Sequence, residues 1–95
     1  MTRIHVHAVP IDDATHSFPL PAFAQIVHVA PGFESVRTVE FWFSFAVRPT
    51  LNMPPCNRRF RVFGTGQEIP AGFRHVGTAV DTGLRLVWHL CEECE

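Results

Sequence analysis

The sequence predicts an all-β chain, and three observations carry the prediction. Apolar residues recur with a period close to two along most of the chain, helical spacing is hard to find, and turn-forming Pro and Gly close the alternating runs. The expected architecture is a single antiparallel sheet of six or seven strands, curled into a small barrel or a two-layer sandwich. With 95 residues there is room for one core only, so residues 1–95 read as a single β domain. Nine Phe and two Trp supply enough apolar area to build that core.

Each element follows from local pattern. Ile4, Val6 and Ala8 alternate with His5 and His7, which predicts a first strand with one polar face. His16 to Leu20 reads as a short partner limited by Pro19 and Pro21, since proline cannot donate to a ladder. Ala24 to Ala30 is a third strand, closed by Pro31-Gly32. Val36 to Arg48 is the longest run. Its odd positions Val39, Phe41, Phe43, Phe45 and Val47 make a core face, and its apolar character on both faces marks it as central. Pro49 to Asn57 holds three prolines and reads as a loop. Arg58 to Phe63 returns as a strand, ended by Gly64-Thr65-Gly66, and Gln67 to Phe73 is a second loop.

The last hairpin permits a specific register. A three-residue loop, Asp81-Thr82-Gly83, places Gly83 where a type I turn with a G1 bulge needs a left-handed residue. It pairs Val80 with Leu84, Thr78 with Leu86 and Val76 with Trp88, all facing the core. On the opposite face His75 then falls against His89, Gly77 against Val87 and Ala79 against Arg85.

Composition excludes several classes. A net charge of −1 argues against a nucleic-acid binder, and no apolar run approaches the ~18 residues of a membrane span. The first residues, Met1 to His5, lack the apolar core of a signal peptide, so the three cysteines are expected as reduced thiols in a cytosol. All eight cations are Arg, a bias read first as genomic and second as suited to bidentate anion recognition.

Three blocks, Arg58-Arg59-Phe60-Arg61-Val62-Phe63-Gly64-Thr65-Gly66, His75-Val76-Gly77-Thr78-Ala79 and Leu86-Val87-Trp88-His89-Leu90, resemble an uncharacterised family of small proteins encoded by bacteriophages and prophages. Weaker agreement runs upstream through Leu20-Pro21, Ile26 to Val29 and the strand around Trp42. Gln67 and Cys91 depart from the pattern, standing where a His and a Phe are common, and the 49–57 loop is particular to this chain. The resemblance implies a phage origin and a host-cytoplasm setting, and no activity.

Candidate chemistry is sparse. Cys91-Glu92-Glu93-Cys94 has C-x-x-C spacing, yet only Cys56 remains as a further thiol and no βαβ context surrounds it, so residues 92–95 read as a short acidic tail. His75 and His89 supply two metal ligands at most, with Cys91 the nearest third, and no metal or cofactor is expected. Arg59 and Arg61 share one strand face, with Arg58 opposite, and Arg85 is expected to join them beside the last hairpin. Guanidinium groups so placed fit phosphate or carboxylate, although solubilising charge is the plainer explanation. Gly64-Thr65-Gly66 lacks a P-loop ending and a following helix. Trp42, on the mixed face of the longest strand, is either an interface anchor, with a homo-oligomer burying it, or is covered by the N-terminal segment. No catalytic constellation is legible. The expectation is a non-enzymatic accessory protein that occupies a host protein or sequesters a small anionic ligand such as a nucleotide through Arg59, Arg61, His75, His89 and Arg85. A virion structural or assembly protein and an enzyme without a readable motif are the alternatives.

Overall fold

A computed structural model describes residues 1–47 and 53–94. Seven strands follow one another: β1 (Thr2–Pro10), β2 (His16–Leu20), β3 (Gln25–Pro31), β4 (Thr38–Ala46), β5 (Cys56–Gly64), β6 (Phe73–Asp81) and β7 (Leu86–Glu93). They form two antiparallel sheets, β1-β4-β3 and β2-β5-β7-β6. The expected single sheet is therefore corrected to two, not closed into a barrel but packed as a sandwich. Among the described residues there is no helix, and hence none long and apolar enough to cross a membrane.

Connections explain why one sheet becomes two. The chain leaves β1 for the second sheet, returns for the β3–β4 hairpin, then crosses again before β5. Residues 49–52 of the expected proline loop, with Arg48 of the expected strand before it, lie outside the described residues. Its end comes earlier than expected, because Cys56 and Asn57 already pair in β5 with Leu20 and Pro19. Between β5 and β6, Gly66 takes a left-handed φ of 88°, and the Gln67 side chain accepts from the Gly64 N–H at 3.0 Å. The turn reading of that glycine motif thus has a local cause.

The core lies between the sheets. Val9, Val39, Phe41 and Phe43 from the first sheet meet Leu20, Phe60, Val62, Ala79 and Leu90 from the second. Phe41 and Phe60 approach to 4.5 Å between ring centroids, and Phe18 lies edge-on to Phe41 at 5.8 Å. β4 is central in its sheet and turns its odd residues inward. β1 alternates with the faces reversed from expectation: His5 and His7 share the inner face with Val9, while Ile4 and Val6 face out and are exposed. His7 stacks on Phe43 at 5.1 Å and sits 5.0 Å from Phe18, so the imidazoles complete an aromatic layer.

The last hairpin departs from its expected register. Asp81 pairs with Leu86, Val80 with Val87, Ala79 with Trp88 and Thr78 with His89. Thr82 to Arg85 form a four-residue loop, Arg85 rather than Gly83 takes the left-handed φ of 56°, and the Asp81 carboxylate accepts from the Leu84 N–H at 3.1 Å. Trp88 and Leu90 face inward as expected, but Val80, Leu84 and Leu86 are exposed. The cause lies outside the hairpin. β6 packs against β3 so closely that a Cβ on Gly77 would fall inside the Val29 side chain. Only small residues fit there, so Gly77 and the fully buried Ala79 take the inner face and the bulkier Thr78 and Val80 go out.

The expected acidic tail is also corrected. β7 continues through Glu93, and Glu92 is buried between two arginines. Arg58 donates to both of its carboxylate oxygens, at 2.6 and 2.8 Å, and to the Ala24 carbonyl at 2.8 Å. Arg74 adds a bond of 2.7 Å. Burial alone would raise the Glu92 carboxyl, but Arg58 and then Arg74 outweigh it and hold it below the usual carboxylate range. Arg58, on the strand face opposite Arg59 and Arg61, is a structural member of this triad.

Candidate functional site

The outer face of the four-stranded sheet collects most of the predicted ligand residues. Along β5, inward Phe60 and Val62 alternate with outward Arg59, Arg61 and Phe63. Opposite them on β7 stand Glu93, Cys91 and His89, and β6 continues the three rows with Phe73, His75 and Thr78. Cys91 thus lies between Arg61 and His75 as strand neighbours. It is fully buried, and that burial raises its thiol pKa, which removes it as a ready thiolate. All three cysteines are free.

The two arginines differ in how they are held. Arg59 Nε lies 3.1 Å from Glu93 Oε2 without hydrogen-bond alignment, and with the Arg59 side chain more than half exposed such a pair contributes roughly 0–1 kcal/mol. The Arg61 guanidinium covers the Phe63 ring at 4.7 Å, and its nearest carboxylate, exposed Asp13, stands 3.9 Å away. The Nε of Arg61 and the Oε2 of Glu93 are buried and lack hydrogen-bond partners among the described residues. A buried donor left in that condition costs about 1–3 kcal/mol.

His75 and His89 are brought together, though not as directly opposed residues. Their strand partners are Cys91 and Thr78, and a bulge between His75 and Gly77 moves His75 onto the outer face. Without the bulge, strict alternation would put His75 opposite Glu92 on the core side. The ring centroids stand 5.4 Å apart, with Nε2 of His75 3.4 Å from Nδ1 of His89. Thr78 Oγ1 contacts both, at 3.0 and 3.2 Å, and Thr65 Oγ1 holds Nε2 of His89 at 3.1 Å. Sequence reading missed both threonines. Alternation alone had placed Thr78 in the core, and Thr65 reaches His89 only because β5 and β7 are neighbours.

Arg85 does not join the group. It sits in the β6–β7 loop, roughly 20 Å of strand from the Arg61 row at about 3.3 Å per residue. Trp42 lies half-buried on the outer face of the three-stranded sheet, beside its pair partners Val6 and His28, whose ring is 5.3 Å away. β1 flanks this tryptophan in the sheet rather than covering it. Among the described residues no group of three or more His, Cys, Asp or Glu side chains is placed to hold a metal ion.

These features define a small two-sheet β-sandwich with one polar sheet face rich in arginine and histidine. The whole chain, residues 1–95, matches the family described as Domain of unknown function (DUF7352), and the protein belongs to that family. No curated protein and no solved structure matches it.

Proposed function

We propose that the protein is a non-enzymatic binding module that takes a phosphate-bearing or carboxylate-bearing ligand, such as a nucleotide, on the outer face of the four-stranded sheet. The carrying observation is the Arg61 guanidinium beside Arg59: it lies 4.7 Å over the Phe63 ring, and its carboxylate partner among the described residues is the exposed Asp13 at 3.9 Å. A planar guanidinium matches the fork of a phosphate or carboxylate, here through its Nη groups, since the Nε is buried. The ion pairs to be given up are weak, because Asp13 is exposed and 3.9 Å away and the Arg59 side chain is more than half exposed. The neighbouring imidazoles add hydrogen-bonding groups along the same face. The resemblance to phage and prophage proteins supports an accessory role in a host cytoplasm.

Calorimetric titration with inorganic phosphate and with a nucleoside monophosphate at low ionic strength tests this reading. Saturable heat is expected, weakened by added salt and lost in Arg59→Ala/Arg61→Ala, whose far-UV circular dichroism should remain that of the parent. Unchanged binding in that double variant removes the proposal. A second reading, a virion structural or assembly protein, draws on the exposed Ile4 and Val6 beside Trp42. Recovery of the chain in purified particles would favour it.

A further inference from the structure

We propose that His75 and His89 form a two-imidazole site for a transition-metal ion of the Zn²⁺, Ni²⁺ or Cu²⁺ class, with the His89 ring oriented by Thr65. The inference is independent of the anion reading, since it needs neither arginine.

Geometry is the first support. Two nitrogens each about 2.0–2.1 Å from a tetrahedral zinc ion are separated by roughly 3.3–3.4 Å. Nε2 of His75 and Nδ1 of His89 are already 3.4 Å apart. A small rotation of either ring lets both lone pairs meet an ion lying off the line between them. The remaining coordination positions fall to water or to an external ligand, because among the described residues no third His, Cys, Asp or Glu joins the two imidazoles.

Hydrogen bonding is the second support. Thr65 Oγ1 lies 3.4 Å from the Val87 carbonyl, to which it donates, so its lone pairs accept from Nε2–H of His89. That assigns the tautomer of His89 and leaves its Nδ1 lone pair aimed at His75. In the metal-free protein Thr78 completes the chain: His75 Nε2–H donates to Thr78 Oγ1, which donates to His89 Nδ1. Binding an ion moves the His75 hydrogen from Nε2 to Nδ1, a change between two neutral tautomers. Fixing a ligating histidine through its second nitrogen is how outer partners orient metal ligands.

The backbone is the third support. The bulge that follows His75 turns this ring to the outer face, and bulges gather where a strand must re-aim a side chain. Both rings stand on strands, and His89 lies on β7, an inner strand of its sheet. The site is therefore set by sheet register rather than by a loose loop.

Equilibrium dialysis of the chain against ZnCl₂, NiCl₂ and CuCl₂ tests the proposal. It is run in a Cys56→Ser/Cys94→Ser background so that exposed thiols do not compete. One ion per chain is expected, with Cu²⁺ bound most tightly. His75→Ala and His89→Ala should each weaken binding at least tenfold. Thr65→Val, which removes only the acceptor for Nε2–H, should weaken it roughly tenfold or more. Arg59→Ala/Arg61→Ala should leave it unchanged, which separates failure here from failure of the anion reading. Absence of saturable binding, or equal binding by both histidine variants and the parent, overturns the proposal.

Discussion

Glu92 is the most instructive place to perturb this fold. Changing it to Gln keeps the side-chain shape and removes the charge that Arg58 and Arg74 share. Arg58 is the larger partner: its side chain is only 21% exposed, and its two bonds to Glu92 leave the Ala24 carbonyl as its other acceptor. Hydrogen bonds to charged groups contribute about 1.5–3 kcal/mol, and stranding one member of a buried pair costs about 3–5 kcal/mol. Arg74 is 59% exposed, so solvent screens its share to about 1 kcal/mol or less. Glu92→Gln, which still offers one acceptor, should therefore lose about 2–3 kcal/mol, Arg58→Ala about 3 kcal/mol and Arg74→Ala under about 1 kcal/mol. Replacing both Arg58 and Glu92 by Leu should cost less than either single truncation, because no charge is left stranded. Urea unfolding at pH 7 measures all four. The pH dependence has a defined sign. The Glu92 carboxyl sits below its unfolded value, so its contribution is fully present above the unfolded carboxylate range and is lost as pH falls through the folded value. Losses under about 1 kcal/mol for Glu92→Gln, or equal losses for Arg58→Ala and Arg74→Ala, would refute the reasoning.

Gly77→Ala should destabilise the domain by about 1–3 kcal/mol, since the new methyl falls inside Val29. Val29→Ala in the same chain should recover part of that loss, and an additive double variant in urea unfolding would exclude the close β3–β6 approach as the cause. His7 is depressed below the usual imidazole value, chiefly by burial against the Phe layer and then by repulsion from His5. The folded state therefore prefers the neutral ring. Stability should be full above about pH 6.5, the unfolded histidine value, and fall as pH drops through the lower folded one. His7→Phe should flatten that limb of the profile, and an unchanged slope in thermal melts at successive pH values would count against it.

Much of the local architecture was legible because period-two alternation depends on the strand itself. Residues 16–20, the odd face of β4, and the inward Trp88 and Leu90 all follow from which neighbours point the same way. The closeness of His75 and His89 was legible as well, but for an incorrect reason. The expected register opposed them directly, whereas the protein pairs them with Cys91 and Thr78 and brings the rings together through a bulge. The partners of Glu92 were not legible, since Arg58 and Arg74 reach it from two other strands and the Ala24 carbonyl, from a third part of the chain, holds Arg58 in place.

By itself the sequence determined that this chain is built from strands, where they start and stop to within a few residues, and that Arg59 and Arg61 share one strand face with Arg58 opposite. Only the tertiary structure decided that the strands divide into two sheets, which face of β6 and of β1 looks inward, and that Arg85 stands apart. The reason is physical. Alternation sorts a strand's residues into two sets, but the space left by the opposing sheet selects which set is buried. At β6 that space admitted glycine and alanine, and at β1 an aromatic layer accepted imidazole in preference to Ile4 and Val6.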